Sequence, residues 1–244
     1  MASKGSGCSK SGKAYEQTVH NITQKCNINS RKFNTQTEKE LGGCNSGNDL
    51  SCNYKKEKDI GIEIKKNNTP DWMQYSIIYD DEKKRWVGSS RCKIPEKSKK
   101  IFEKLLTDVN LFDGKIPPFI TENITYDEWT KIKKNTKSFN DVYIDCPDDT
   151  IKKLYSYKDC QYIQISNKGL YHLGRDKCKF DVPEFICDQQ IRIRIKVHTR
   201  KNKNGYCNLS ITAACKPKNI KNLENSQYSL DNVDKLPPKL IYSK

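Results

Sequence analysis

Between residues 60 and 66 the chain alternates: Ile60, Ile62 and Ile64 with Gly61, Glu63 and Lys65. A period of two predicts a half-buried strand, with the isoleucines facing a core and Glu63 and Lys65 side by side on the other face. Upstream, the turn-forming run 42–48 precedes Asp49-Leu50-Ser51-Cys52-Asn53-Tyr54, which predicts a second strand. Lys55-Lys56-Glu57-Lys58 closes a hairpin between them. Centred on Lys56, that hairpin sets Asp49 opposite Glu63, with facing Cβ atoms about 5 Å apart.

Other segments carry a helical period. Residues 1–11 are Ser, Gly and Lys with almost nothing apolar, and read as a disordered basic arm. From Gly12 to about Cys26, Tyr15, Val19 and Ile22 recur at helical spacing, with Glu16 among them. Thr69-Pro70-Asp71 predicts a helix start, with Gln74 in its first turn and Trp72, Met73 and Ile77 filling core. Helices are also expected from Lys97 to Val109, from Thr125, and from Pro147 through Tyr155, so that about 95–150 reads as a helical insertion. From Cys160 the texture becomes β: 161–165 and 169–173 form a pair, then Ile191, Ile193, Ile195 and Val197 alternate with Arg192, Arg194, Lys196 and His198, with Arg200 beyond. A hairpin turn at 201–205 leads to a return strand from Tyr206 to Cys215, and 219–244 reads as an extended tail. The expected fold is α/β, in one domain over 12–218.

Charge adds a partner class. Lys and Arg total 45 against 30 Asp and Glu, a net charge of +15 in 244 residues. Such a surplus favours a polyanion, although a chain this rich in Lys, Asn and Ile also reflects plain compositional bias. The stripe from Arg192 to Arg200 contains no acid, and each Arg can hold two phosphate oxygens. No apolar run approaches the roughly 18 residues of a membrane span, and no signal-peptide core opens the chain, so a non-secreted, soluble protein is expected. The 11 cysteines include no Cys-x-x-Cys and read as reduced thiols. Asn21, Asn123 and Asn208 head glycosylation sequons that an Asn-rich chain produces readily. Three dispersed histidines (His20, His172, His198) give a His-based metallohydrolase little support, and phosphate-loop and Gly-x-Ser-x-Gly motifs are missing.

Chemistry concentrates at the first hairpin. Two carboxylates about 5 Å apart repel unless a cation lies between them, and hard cations such as Mg²⁺ take oxygen ligands. Asp59 is the competing acid, but it lies about 13 Å from Glu63 along the strand.

Asp49, thirteen residues, then Glu63-Ile64-Lys65 resembles the PD-(D/E)XK, or restriction-endonuclease-like, nucleases, with Asn48 where their signature has Pro. An Ala-Tyr-Glu-Gln helix, the Asn-Asp-Leu hairpin, Tyr-Ile-Gln-Ile, Gly-Leu-Tyr-His-Leu-Gly and Arg-Ile-Arg-Ile-Lys further resemble the restriction-like nucleases of large DNA viruses. The resemblance implies a central mixed β-sheet flanked by helices. It implies that Asp49, Glu63 and the Ile64 carbonyl bind Mg²⁺, with Mn²⁺ able to substitute. Lys65 would stabilise developing charge and help orient or deprotonate the attacking water. Glu16 would hold a metal-bound water, and Gln74 would assist the site or the DNA. The implied outcome is hydrolysis of double-stranded DNA leaving a 5′-phosphate, with Arg192, Arg194, Lys196, His198 and Arg200 along the backbone, and a homodimer for two-strand cutting. The rival reading is a basic DNA-binding or packaging protein with an inactive nuclease-like core.

Overall fold

The computed structural model describes residues 4–36, 47–55, 58–68, 71–107, 109, 111–114, 123–135, 140–201 and 205–243. It is a mixed α/β protein. Among the described residues there are four α-helices, α1 Lys4–Gln24, α2 Glu96–Thr107, α3 Tyr126–Asn135 and α4 Thr150–Ser156. None of them is long and apolar enough to cross a membrane.

The strands form three sheets. The mixed sheet has the order β3 (Leu50–Lys55), β4 (Lys58–Lys65), β8 (Cys160–Ile165) and β9 (Gly169–His172). Its outer pairs are antiparallel and its central pair, β4 with β8, is parallel. A five-stranded antiparallel sheet orders β6 (Arg85–Gly88), β5 (Gln74–Asp80), β11 (Cys207–Pro217), β10 (Gln189–Lys201) and β7 (Val142–Cys146). The third sheet joins β12 (Ile241–Tyr242), β1 (Cys26–Ile28) and β2 (Arg31–Lys32).

Side-chain alternation makes the mixed sheet the wall between two cores. Ile60, Ile62 and Ile64 of β4, with Tyr162 and Leu170, join Val19 of α1 on one side. Ile163, Ile165 and Tyr171 join Leu154 and Tyr155 of α4, and the inner face of the five-stranded sheet, on the other. Burial on both faces suits the parallel pair at its centre. Each buried isoleucine contributes roughly 2–3 kcal/mol.

Several expectations need correction. The arm expected to be disordered over residues 1–11 is helical from Lys4 onward, residues 1–3 lying outside the description. Once Val19 and its neighbours pack a turn, extending the helix needs no further nucleation, and Lys66 Nζ donates to Ser11 Oγ at 2.6 Å. No helix begins after Asp71: Trp72 and Met73 form a bend, and β5 starts at Gln74, with Thr69 and Pro70 outside the described residues. Tyr75 and Ile77 are buried two apart, and that strand period prevails over the helix-start signal. Trp72, Met73 and Ile77 are core, as expected. The region 95–150 is not purely helical, because it ends in β7, which pairs with β10. The start of α3 matches its expected cap. Glu128 Oε2 accepts from the Thr125 N–H at 2.7 Å, and Thr125 Oγ1 accepts from the Glu128 N–H at 3.3 Å, a capping box.

The C-terminal segment is extended but packed. Leu223, Leu230 and Leu240 are buried, and β12 pairs with β1. Gly169, at φ 102°, lets this segment approach closely, since a Cβ there would meet Tyr228 O at 2.5 Å.

Candidate active site

The β3–β4 ladder pairs Leu50 with Ile62 and Ser51 with Gly61. The next position in that register sets Asp49 opposite Glu63, as the sequence predicts. A bulge between Asn53 and Lys55 absorbs the turn without disturbing this end of the ladder. Asp49 is anchored twice across it. Its N–H donates to Ile62 O at 3.1 Å, and its Oδ2 accepts from the Ile64 N–H at 2.8 Å.

Glu63 is 1% exposed. Its Oε1 lies 2.5 Å from Lys65 Nζ, and its Oε2 lies 2.7 Å from Lys158 Nζ. Lys65 Nζ is also 3.4 Å from Asp49 Oδ2. Both carboxylates therefore converge on one cation, and that cation is the Lys65 ammonium. The Tyr155 ring backs both lysines, 5.7 Å from Lys65 Nζ and 5.6 Å from Lys158 Nζ. The Tyr155 hydroxyl accepts from the Met73 N–H at 3.2 Å, which ties the ring to the chain entering β5.

The electrostatics follow from this crowding. Burial disfavours the charged form of Asp49, but Lys65, Lys158 and the Ile64 N–H outweigh it and hold its pKa below the usual carboxylate value. Burial likewise opposes the Lys65 charge, but Asp49 and Glu63 raise its pKa well above that of a free lysine. Lys65 is thus an ammonium held between two carboxylates. Lys158 behaves similarly: burial opposes its charge, and Glu63 with Asp49 more than restores it.

Glu16 of α1 joins the same field. Burial, then the charges of Asp49 and Glu63, push its pKa up to about 7, although Lys65 and Lys13 act in the opposite direction. Its Oε2 is buried without a hydrogen-bond partner. This carboxyl sits on a different element from the hairpin yet feels the same charges.

Gln74 is placed otherwise than expected. It opens β5 opposite Ala214 in the five-stranded sheet, not in a helix following β4.

The donor set fits a hard divalent cation in part. Asp49 and Glu63 reach one cationic point, and the unpartnered oxygen of Glu16 is the kind of group a bound water would satisfy. Among the described residues, no three His, Cys, Asp or Glu side chains come together closely enough to hold a metal on their own. Two carboxylates and a carbonyl, completed by water, still suit Mg²⁺, which keeps part of its hydration shell.

The basic stripe on β10 is balanced by acids that a single strand does not reveal. Arg192 Nε and Nη2 lie 2.8 and 2.6 Å from Asp141 Oδ2, and its Nη1 lies 3.3 Å from Asp71 Oδ1. Arg194 Nη2 lies 2.6 Å from Asp71 Oδ2. Asp71 is 6% exposed, so these are sheltered pairs. The side chains of Lys196, His198 and Arg200 lie outside the described residues.

Lys158, Tyr155 and Cys160, whose Sγ donates to Glu63 Oε2 at 3.6 Å, escaped the sequence reading. One signal was present. Gly61 interrupts the bulky positions of the motif strand, and such a glycine marks a close backbone approach. No protein family, curated protein or solved structure matches the chain.

Proposed function

We propose that this chain is a Mg²⁺-dependent endonuclease of the PD-(D/E)XK type, hydrolysing phosphodiester bonds of double-stranded DNA to leave a 5′-phosphate. The observation that carries the reading is the convergence of Asp49 and Glu63, from neighbouring strands, on the Lys65 ammonium. The mixed sheet, with α1 packed on one face and α4 on the other, is consistent with a restriction-endonuclease-like core.

Asp49, Glu63 and the Ile64 carbonyl would hold the Mg²⁺, or Mn²⁺ in its place, and the bound ion supplies Lewis acidity toward the scissile phosphate and a bound water. The chain's own groups divide the remaining work. Lys65 would offset negative charge building on the phosphate and help orient the attacking water. Glu16, whose Oε2 is buried without a hydrogen-bond partner, would hold a metal-bound water. Arg192 and Arg194 contribute to DNA binding by exchanging a carboxylate partner for phosphate, while Lys196, His198 and Arg200 extend the stripe.

A second reading rests on a specific observation: both oxygens of Glu63 already face ammonium groups. A core whose charges neutralise one another so fully also suits a DNA-binding protein that does not cut. Supercoiled plasmid incubated with Mg²⁺ or with EDTA separates the two. Metal-dependent cutting that falls at least about 100-fold in Lys65→Ala supports the nuclease. Retarded but intact DNA supports the binder, and preferential cutting of RNA in the same assay would change the substrate.

A further inference from the structure

We propose that Lys158 is a positioning residue of this site: it reserves Glu63 Oε2, so that a divalent cation engages Glu63 through Oε1 alone and does so by exchanging with the Lys65 ammonium. The inference rests on the nuclease reading and deepens it.

Three features carry it. First, Glu63 is a bridge between two cations that are not equivalent. Lys65 shares its ammonium between Glu63 and Asp49, at the point where the two carboxylates meet. Lys158 contacts Glu63 on the other oxygen, at 2.7 Å. A cation that takes both carboxylates must therefore enter on the Lys65 side.

Second, the chain around Lys158 is built to bring it there. Lys158 is 7% exposed and lies in the turn between α4 and β8, with its N–H bonded to Tyr155 O at 3.0 Å. Gly61, on the same face of β4 as Glu63, has no side chain to hold that turn away. A Cβ at Gly61 would come within 2.1 Å of Asp159 O. The approach of the turn, and with it the reach of Lys158 to a buried carboxylate, requires glycine at this position.

Third, Glu63 Oε2 is further engaged at 3.6 Å by the thiol of Cys160, the buried first residue of β8, two positions after Lys158. Two groups, one from the turn and one from the strand it leads into, thus converge on one oxygen and leave the other to the side where Asp49 stands. The arrangement sets a single-oxygen ligand geometry on Glu63, and it also lowers the net negative charge that attracts the metal. Binding is weaker than the carboxylates alone would give, and better placed.

The test is Mn²⁺ binding to the full chain without DNA, followed by calorimetry or by the free-ion electron paramagnetic resonance signal. Lys158→Met and Lys158→Gln are expected to bind Mn²⁺ about tenfold more tightly, because a unit of positive charge beside the ligand is gone. Their turnover should fall at saturating Mn²⁺ while KM for DNA stays unchanged. Lys158→Arg, which keeps the charge, is expected to retain the wild-type affinity. Unchanged Mn²⁺ affinity in a folded Lys158→Met overturns the proposal and leaves Lys158 a structural ion pair. Should both neutral variants fail to fold, the wild-type chain still decides it through its lysine ammonium resonances. Mg²⁺ should move the Lys65 signal and leave that of Lys158 in place, and the reverse pattern overturns the proposal. A wild-type chain that binds no Mn²⁺ and cuts nothing refutes the nuclease reading itself, an outcome distinct from a wild type that cuts while Lys158 proves indifferent to metal.

Discussion

Asp49 Oδ2 accepts a hydrogen bond from the backbone N–H of Ile64, at 2.8 Å. The acid of one strand is thus fastened to the residue lying between Glu63 and Lys65 on the next. Asp49→Asn keeps an oxygen able to accept this bond but removes the charge shared with Lys65. The variant is expected to fold, with a melting temperature near that of wild type, and to lose at least about 100-fold in Mg²⁺-dependent cleavage. Cleavage at the wild-type rate would remove Asp49 from the site.

Glu16 should leave a signature in the pH dependence of stability. Its carboxyl is raised from 4.5 to about 7 in the folded, metal-free chain, first by burial and then by Asp49. As pH rises from about 4.5 to 7, the unfolded chain releases this proton before the folded one does, so the folded state loses stability across that window and levels off above it. Thermal unfolding in EDTA at pH 5 and pH 8 should show that Glu16→Gln has lost this component of the decline. Equal slopes in the two proteins would place Glu16 in ordinary solvent.

Gly61→Ala should destabilise the fold by about 1–3 kcal/mol in urea unfolding. The added methyl meets Asp159 O and, at 2.7 Å, Asn48 Nδ2. A neutral result would mean that the turn carrying Lys158 gives way at little cost.

Asp71 holds Arg192 and Arg194 together, and breaking a sheltered pair of this kind costs about 3 kcal/mol. Asp71→Ala should therefore melt earlier while releasing the Arg194 guanidinium and leaving Arg192 on Asp141 alone. Binding to a short duplex in EDTA, measured by fluorescence anisotropy, should then depend more steeply on salt, by about one additional phosphate contact. An unchanged slope would show that these arginines serve the sheet rather than DNA.

Much of the candidate site was legible in residues 49–65. A period of two placed Glu63 and Lys65 on one face, and the length of the hairpin loop placed Asp49 across from them. The same local logic located the β8–β9 pair, the long β10–β11 hairpin and the cap of α3. It failed where local signals competed: Pro70 and Asp71 suggested a helix, while the burial of Tyr75 and Ile77 against β11 made a strand.

The sequence by itself determined which side chains share a strand face and which strands neighbour each other through a short turn, because pleat and loop length are properties of adjacent residues. Only the tertiary structure decided that Lys158 meets Glu63, that Asp71 and Asp141 answer the arginines of β10, and that Leu230 and Leu240 close the core behind β4. These contacts join segments separated by dozens of residues, and they depend on the parallel crossover that lays β8 beside β4 and on the packing of one sheet against the other. Neither leaves a period or a spacing in the chain.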